Sequence, residues 1–98
     1  MLVHAVYFWL KPETSAADIR LFREKVEALL KIPTVSHGWV GKPAATARPV
    51  IDSSYSFALV VVFQDMAAHD AYQVHPVHDD FRDSTSRLWN LVKVYDSE

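Results

Sequence analysis

Tyr72, His75 and His78 stand together in the segment Tyr72-Gln73-Val74-His75-Pro76-Val77-His78. Histidine titrates near neutrality and can take a proton from carbon or water. A phenol, with an ordinary pKa of about 10, can donate to a carbonyl oxygen as enolate character develops. His78 as base and Tyr72 as donor would therefore suit an aldol or isomerisation step. Pro76 breaks the helical pattern between them, and a chain that turns there can bring the two side chains to one cavity. The plainer alternative is structural, with His78 capping a helical turn and Tyr72 a core aromatic whose hydroxyl reaches the rim.

His75 precedes proline and is thereby held out of the α region, which favours a hydrogen bond from its ring to nearby backbone. The His75/His78 spacing, with Asp79 and Asp80 following, resembles part of a metal site. The intervening proline spoils the presentation of both rings, and no third ligand stands at a suitable spacing, so no metal is expected. His4 shares a strand face with Leu2, Val6, Phe8 and Leu10. A polar ring on that apolar stripe needs a buried partner or a cavity.

Other chemistries are absent. Without cysteine there is no thiolate nucleophile, disulfide framework or Cys-ligated metal. No G-x-S-x-G, phosphate-binding loop or dinucleotide fingerprint occurs, so no cofactor is expected. If the chain is catalytic, acid–base groups are what remain.

The elements that must position these residues follow from periodicity. Leu2 to Leu10 is almost continuously apolar and rich in β-branched and aromatic residues, a strand with neither face freely solvated. Ser15 opens a helix reaching Lys31, with Asp18 in a capping-box arrangement and Ile19, Phe22, Val26, Leu29 and Leu30 in one stripe. Arg20/Glu24, Arg23/Glu27 and Glu27/Lys31 fall at i,i+4 on its solvated side. Val35 to Lys42 is a second strand, Pro43 to Ser54 a loop, and Tyr55 to Gln64 a third strand with two apolar faces. Asp65 caps a helix over Met66 to Gln73, a further helical stretch runs from Val77 to about Ser84, and Leu88 to Tyr95 is the last strand. The order β-α-β-β-α-β specifies an α+β, ferredoxin-like antiparallel sheet with helices on one face.

One domain spanning residues 1–98 is expected from the length. Hydrophobic residues make up 50% and aromatics 12% of it, more than so small a domain hides alone, so a second copy is expected on the uncovered sheet face. The formal charge of −2 gives no basic field, and neither nucleic acid nor anionic membrane is an expected partner. The apolar run at the start is too short to span a bilayer and wrongly flanked for a signal peptide, and a cytoplasmic location is expected.

His4 in a strand ending Leu10-Lys11-Pro12, the stretch Trp39-Val40-Gly41-Lys42, and above all the Y-x-x-H-P-x-H segment followed by Phe81 are similar to the stress-responsive α/β-barrel (Dabb) family. The resemblance spans essentially the whole chain. It implies a homodimeric α+β barrel in which two four-stranded sheets meet face to face. Family members include plant stress-associated proteins, bacterial proteins of undefined activity and a plant polyketide cyclase. The resemblance to the cyclase implies Tyr72 and His78 as catalytic residues, with His4 nearby. It also implies a small-molecule pocket for an apolar carbonyl compound, bordered by Val6, Phe8, Leu59, His75, Phe81, Trp89, Val92 and Val94. The same positions also read as plain core. Gln73 departs from the cyclase, as does the missing aromatic near Ala28, which argues against its alkyl-polyketide substrate. A cofactor-independent monooxygenase on the same barrel fold is a third reading.

Overall fold

The computed structural model describes residues 1–98. Its elements are β1 (Leu2–Leu10), α1 (Ala16–Ala28), β2 (His37–Gly41), β3 (Phe57–Phe63), α2 (Met66–Gln73), α3 (Pro76–Thr85) and β4 (Trp89–Ser97). Single 3-10 turns follow α1 (Leu29–Lys31) and α3 (Ser86–Leu88). The four strands form one sheet in the order β2-β3-β1-β4, every neighbour antiparallel. The connection through α1 passes over β3, and the one through α2 and α3 passes over β1. This is the ferredoxin-like α+β arrangement expected from the element order. No helix is long and apolar enough to cross a membrane.

Alternation decides which face of the sheet is covered. In β1 and β3 every second side chain is buried: Leu2, His4, Val6 and Phe8, and Phe57, Leu59, Val61 and Phe63. Against them pack Phe22, Val26 and Leu29 from the first helical segment, Tyr72 from α2 and Phe81 from α3. Phe8, Phe22 and Phe81 meet edge to face with ring centroids 5.1–5.8 Å apart, a geometry that adds about 0.5–1.5 kcal/mol per pair beyond area burial. The opposite face stays uncovered within one chain. Trp39, Leu91 and Tyr95 on it are 60%, 45% and 59% exposed, a large apolar area for a free surface.

Several details differ from the sequence reading. The first α-helix ends at Ala28 and tightens into a 3-10 turn before Pro33, where the last orphan carbonyls are satisfied by shorter-range bonds. Ile19, expected on the buried stripe, is exposed because it lies in the first turn, beyond the edge of the sheet core. Ser15 does accept from the Asp18 N–H at 3.1 Å. The Asp18 carboxylate, however, pairs with Arg87 (3.0 Å) instead of completing the capping box. Of the three i,i+4 pairs only Arg23–Glu27 forms, at 2.8 Å, while Lys25 leaves its own helix to reach Asp80 on α3 at 2.8 Å. The second strand is shorter than expected and the fourth runs two residues further, to Ser97.

Candidate functional site

The break between α2 and α3 builds the site. Asp65 caps α2 by accepting from the Ala68 N–H at 2.9 Å, and the helix runs out at Gln73. Pro76 then occupies the first turn of α3, where its missing N–H costs nothing. His75 is the N-cap of α3: its Nδ1 accepts from the Val77 N–H at 3.1 Å. This is the backbone bond expected of a histidine held before proline. His75 does not border the cavity described next, so its grouping with the pocket residues is corrected: its ring is engaged in ending one helix and starting another.

The turn brings Tyr72 and His78 together, with ring centroids 5.0 Å apart at an interplanar angle of 75°. His4 reaches the same place from β1, its centroid 5.9 Å from that of Tyr72. These three side chains line a cavity of about 200 Å³ with Val6, Phe8, Leu59, Phe81, Trp89, Val92 and Val94. Leu29, Gln73 and Arg82 complete the wall. The sequence marks Leu29 only as part of the helix stripe and Gln73 only as a departure from the cyclase, and it does not single out Arg82. Arg82 lies one helical turn after His78, and that spacing is the signal that was available.

The electrostatics of this cavity set it apart from plain core. Tyr72 is fully buried, and its hydroxyl has no hydrogen-bond partner in the chain. The same holds for His78 Nδ1, Gln73 Oε1 and Trp89 Nε1. All four belong to residues of one cavity wall. Two further buried polar atoms lack a partner, Thr34 Oγ1 and His69 Nε2, and neither residue lines this cavity, whereas the buried Thr85 hydroxyl donates to the Phe81 carbonyl at 2.7 Å. Burial lifts the Tyr72 phenol well above its ordinary pKa, so it stays protonated and able to donate. Burial also lowers the His78 pKa, helped by the nearby Arg82 guanidinium, so its imidazole is neutral near pH 7 and able to accept a proton.

Behind this wall His4 Nδ1 lies 2.5 Å from Asp96 Oδ1 on β4, its direct partner in the β1–β4 register. His69, on α2 one turn before Tyr72, stacks edge-on against His4 at 5.2 Å. One potential ligand atom each from His4, His69 and Asp96 lies within 4.8 Å of the other two. His75 and His78 form no such group. His69 and Asp96 escaped the sequence reading because nothing in their spacing links them to His4; only the pairing of the first strand with the last does. A second concavity, of about 410 Å³, lies on the uncovered sheet face between Ala5, Tyr7, Trp9, Tyr55 and Tyr95.

The description "Stress responsive A/B Barrel Domain" matches residues 2–98. Among solved structures, a Dabb-family protein with a ferredoxin-like fold from Mesorhizobium loti superposes with a TM-score of 0.79 at 27% identity, covering 99% of this chain and 94% of the other. A dimeric ferredoxin-like protein of unknown function from Jannaschia gives a TM-score of 0.77 at 24% identity over 99% and 97% of the two chains. A hydroxynitrile lyase from Passiflora edulis gives a TM-score of 0.81 at 16% identity over 98% and 90%. The last two likenesses are of fold alone. No curated protein matches this chain. With a family match across residues 2–98 and the sheet order and helix placement just described, the chain belongs to the stress-responsive A/B barrel (Dabb) family.

Proposed function

We propose that this protein is a homodimeric, single-domain Dabb barrel whose cavity binds a small apolar carbonyl compound between Tyr72 and His78. The observation that carries the reading is that four residues lining one cavity, Tyr72, Gln73, His78 and Trp89, each hold a buried polar atom without a partner in the chain. Leaving a buried donor or acceptor unpaired costs about 1–3 kcal/mol each. A ligand with one carbonyl oxygen and an apolar body recovers part of that cost and meets the Val6, Phe8, Leu59 and Val92 wall. The volume lies below the roughly 300–1,000 Å³ of pockets for drug-sized ligands, so a compact compound fits better than a long alkyl polyketide.

The dimer rests on the uncovered apolar sheet face, with Trp39, Leu91 and Tyr95 exposed in the single chain. The dimeric description of the Jannaschia relative supports it. The absence of cysteine fits a cytoplasmic location and the family name a stress-associated role.

A catalytic reading is favoured by the opposed protonation tendencies at the site. Burial keeps Tyr72 a donor and His78 a neutral acceptor, the division of labour that a cofactor-independent lyase or cyclase needs. His78 would take the proton from carbon or a hydroxyl, and Tyr72 would donate to the carbonyl oxygen. The fold of the Passiflora hydroxynitrile lyase is compatible with this chemistry. A monooxygenase reading has a fold likeness of the same order, a TM-score of 0.76 at 17% identity to a Nitrosomonas europaea structure, so the donor and acceptor at Tyr72 and His78, and not the fold, favour the lyase or cyclase.

Binding is tested by titrating the protein with a panel of small aldehydes and ketones and following side-chain NMR shifts. Saturable shifts at Tyr72 and His78, weakened in Tyr72→Phe, are expected. A panel that leaves both residues unmoved overturns the pocket. Assaying the same panel and β-polyketides for turnover, beside His78→Ala, separates the binding reading from the catalytic one.

A further inference from the structure

We propose that His4, His69 and Asp96 form a binding site for a divalent transition metal of the zinc type, beside the cavity. The three residues come from three elements, β1, α2 and β4, and their potential ligand atoms all lie within 4.8 Å of one another. Two imidazoles and a carboxylate are a donor set that suits zinc and its neighbours in the first transition row, and disfavours magnesium and calcium.

The surroundings of His69 point the same way. Its side chain is only 12% exposed, and its Nε2 is buried without a partner in the chain. The other nitrogen, Nδ1, lies 3.1 Å from the Asp70 carboxylate. A carboxylate there accepts the Nδ1 proton and leaves the lone pair on Nε2, the tautomer a metal ligand needs and the usual outer-shell arrangement for a ligating histidine. Phe63 packs edge-on against the His69 ring at 5.6 Å and limits its rotation.

His4 is equally fixed. It is 4% exposed, sits in the central strand, and faces Asp96 across a paired register. The 2.5 Å approach of His4 Nδ1 to Asp96 would be exchanged for two bonds to a shared ion. Asp96 lies on the edge strand β4, on the same face as His4, with its side chain 44% exposed, which gives the ion a way in. Three protein ligands leave a coordination position for water or another ligand. Because His4 also borders the cavity, the ion would be a neighbour of anything bound there.

The site is tested by removing metals from the full chain with a chelator and titrating zinc by calorimetry near neutral pH. Cobalt added in place of zinc is followed by its visible ligand-field absorption. One zinc per chain is expected, with affinity lowered at least ~10-fold in His69→Leu and in Asp96→Asn, since even outer-shell partners of metal ligands are worth ~10–100-fold. His37→Gln, which changes an exposed histidine on β2 outside the group, should leave the affinity unchanged. Absence of saturable binding, or binding equally strong in His69→Leu and Asp96→Asn, overturns the proposal. Should His69→Leu fail to fold by circular dichroism, the exposed Asp96→Asn variant decides alone.

Discussion

The Tyr72 ring stands edge-on to His78, 5.0 Å away, and neither the phenol oxygen nor the His78 Nδ1 has a partner in the chain. Two such groups would ordinarily be paired or solvated. Here they belong to two residues that line a common cavity, and they stay unpaired at a standing energetic cost.

That cost gives a test by stability. Tyr72→Phe removes a buried, unpartnered hydroxyl while keeping the ring that packs on Phe63 at 5.0 Å. The variant should be as stable as the parent or more so, by up to about 1–3 kcal/mol, because the desolvation penalty disappears with the oxygen. Chemical denaturation measures this. A loss of more than about 1 kcal/mol would mean that the hydroxyl already has a satisfied structural role.

The lowered pKa of His78 carries a pH dependence with a definite sign. Burial makes the folded state bind a proton less readily than the unfolded chain, whose histidine titrates near 6.5. Between that value and the depressed one the unfolded chain holds more protons, so stability falls as pH drops below about 6.5. In His78→Phe this part of the decline should shrink. Asp18, Asp52 and Asp80, whose pKa values are held below 3.8 by their hydrogen-bonded partners, lose their contributions only in stronger acid. Denaturation midpoints measured between pH 5 and pH 8 should therefore report the His78 change without theirs; identical pH slopes in parent and variant would refute the assignment.

Ala5 lies in the centre of the uncovered sheet face, paired with Val60 and Tyr95 on its two neighbours. Ala5→Arg would put a long cation in the middle of the proposed interface, where a charge without a partner is costly. Light scattering should show a dimer for the parent at micromolar concentration and a monomer for the variant. An obligate interface of this kind buries roughly 2,000 Å² or more in total. A parent protein that elutes as a monomer would remove the dimer from the proposal.

The two glycines of β2 should behave differently. A Cβ on Gly38 would meet Leu30 Cδ2 at 2.8 Å, Val61 Cγ1 at 2.9 Å and the Val60 carbonyl at 3.1 Å, so the first helical segment packs where a side chain would stand. Gly38→Ala should cost about 1–3 kcal/mol, as over-packing of a filled core does. Gly41 has nothing within 4 Å of such a Cβ, and Gly41→Ala should be neutral or slightly stabilising. The difference between the two unfolding midpoints is the readout.

Much of this architecture was legible in the sequence, because it follows from local pattern. The alternation of β3 between Phe57 and Phe63 fixes its buried face, and Ser15, Asp65 and Pro76 mark helix starts by what their side chains or rings do to backbone. The Tyr72/His78 approach was also legible, since a proline break over so short a stretch leaves few ways for the chain to run. What local pattern could not give was the company of His4. Asp96 is brought to it by sheet register and His69 by the lie of α2 across β1, and neither relation has a signature in spacing. Likewise Asp18 stands where a capping box predicts a local partner, yet a distant arginine, Arg87, wins its carboxylate with two donors at 3.0 and 3.2 Å.

The central position of β1 governs the order in which this chain can fold. Its β4 partner contributes Asp96, which is separated from His4 by 92 positions. Joining such distant segments costs about 2 kcal/mol more chain entropy than closing a loop of roughly ten residues, and no contact between the two strands returns anything until they meet. Refolding should therefore be slow beside a helical bundle of equal length. Pulse-labelled hydrogen exchange should find β1–β3 amides protected before those shared by β1 and β4. The wall carrying Trp89, Val92 and Val94 then acquires its shape at the end of the reaction, and intermediates short of that step hold a hydrophobic core but no pocket.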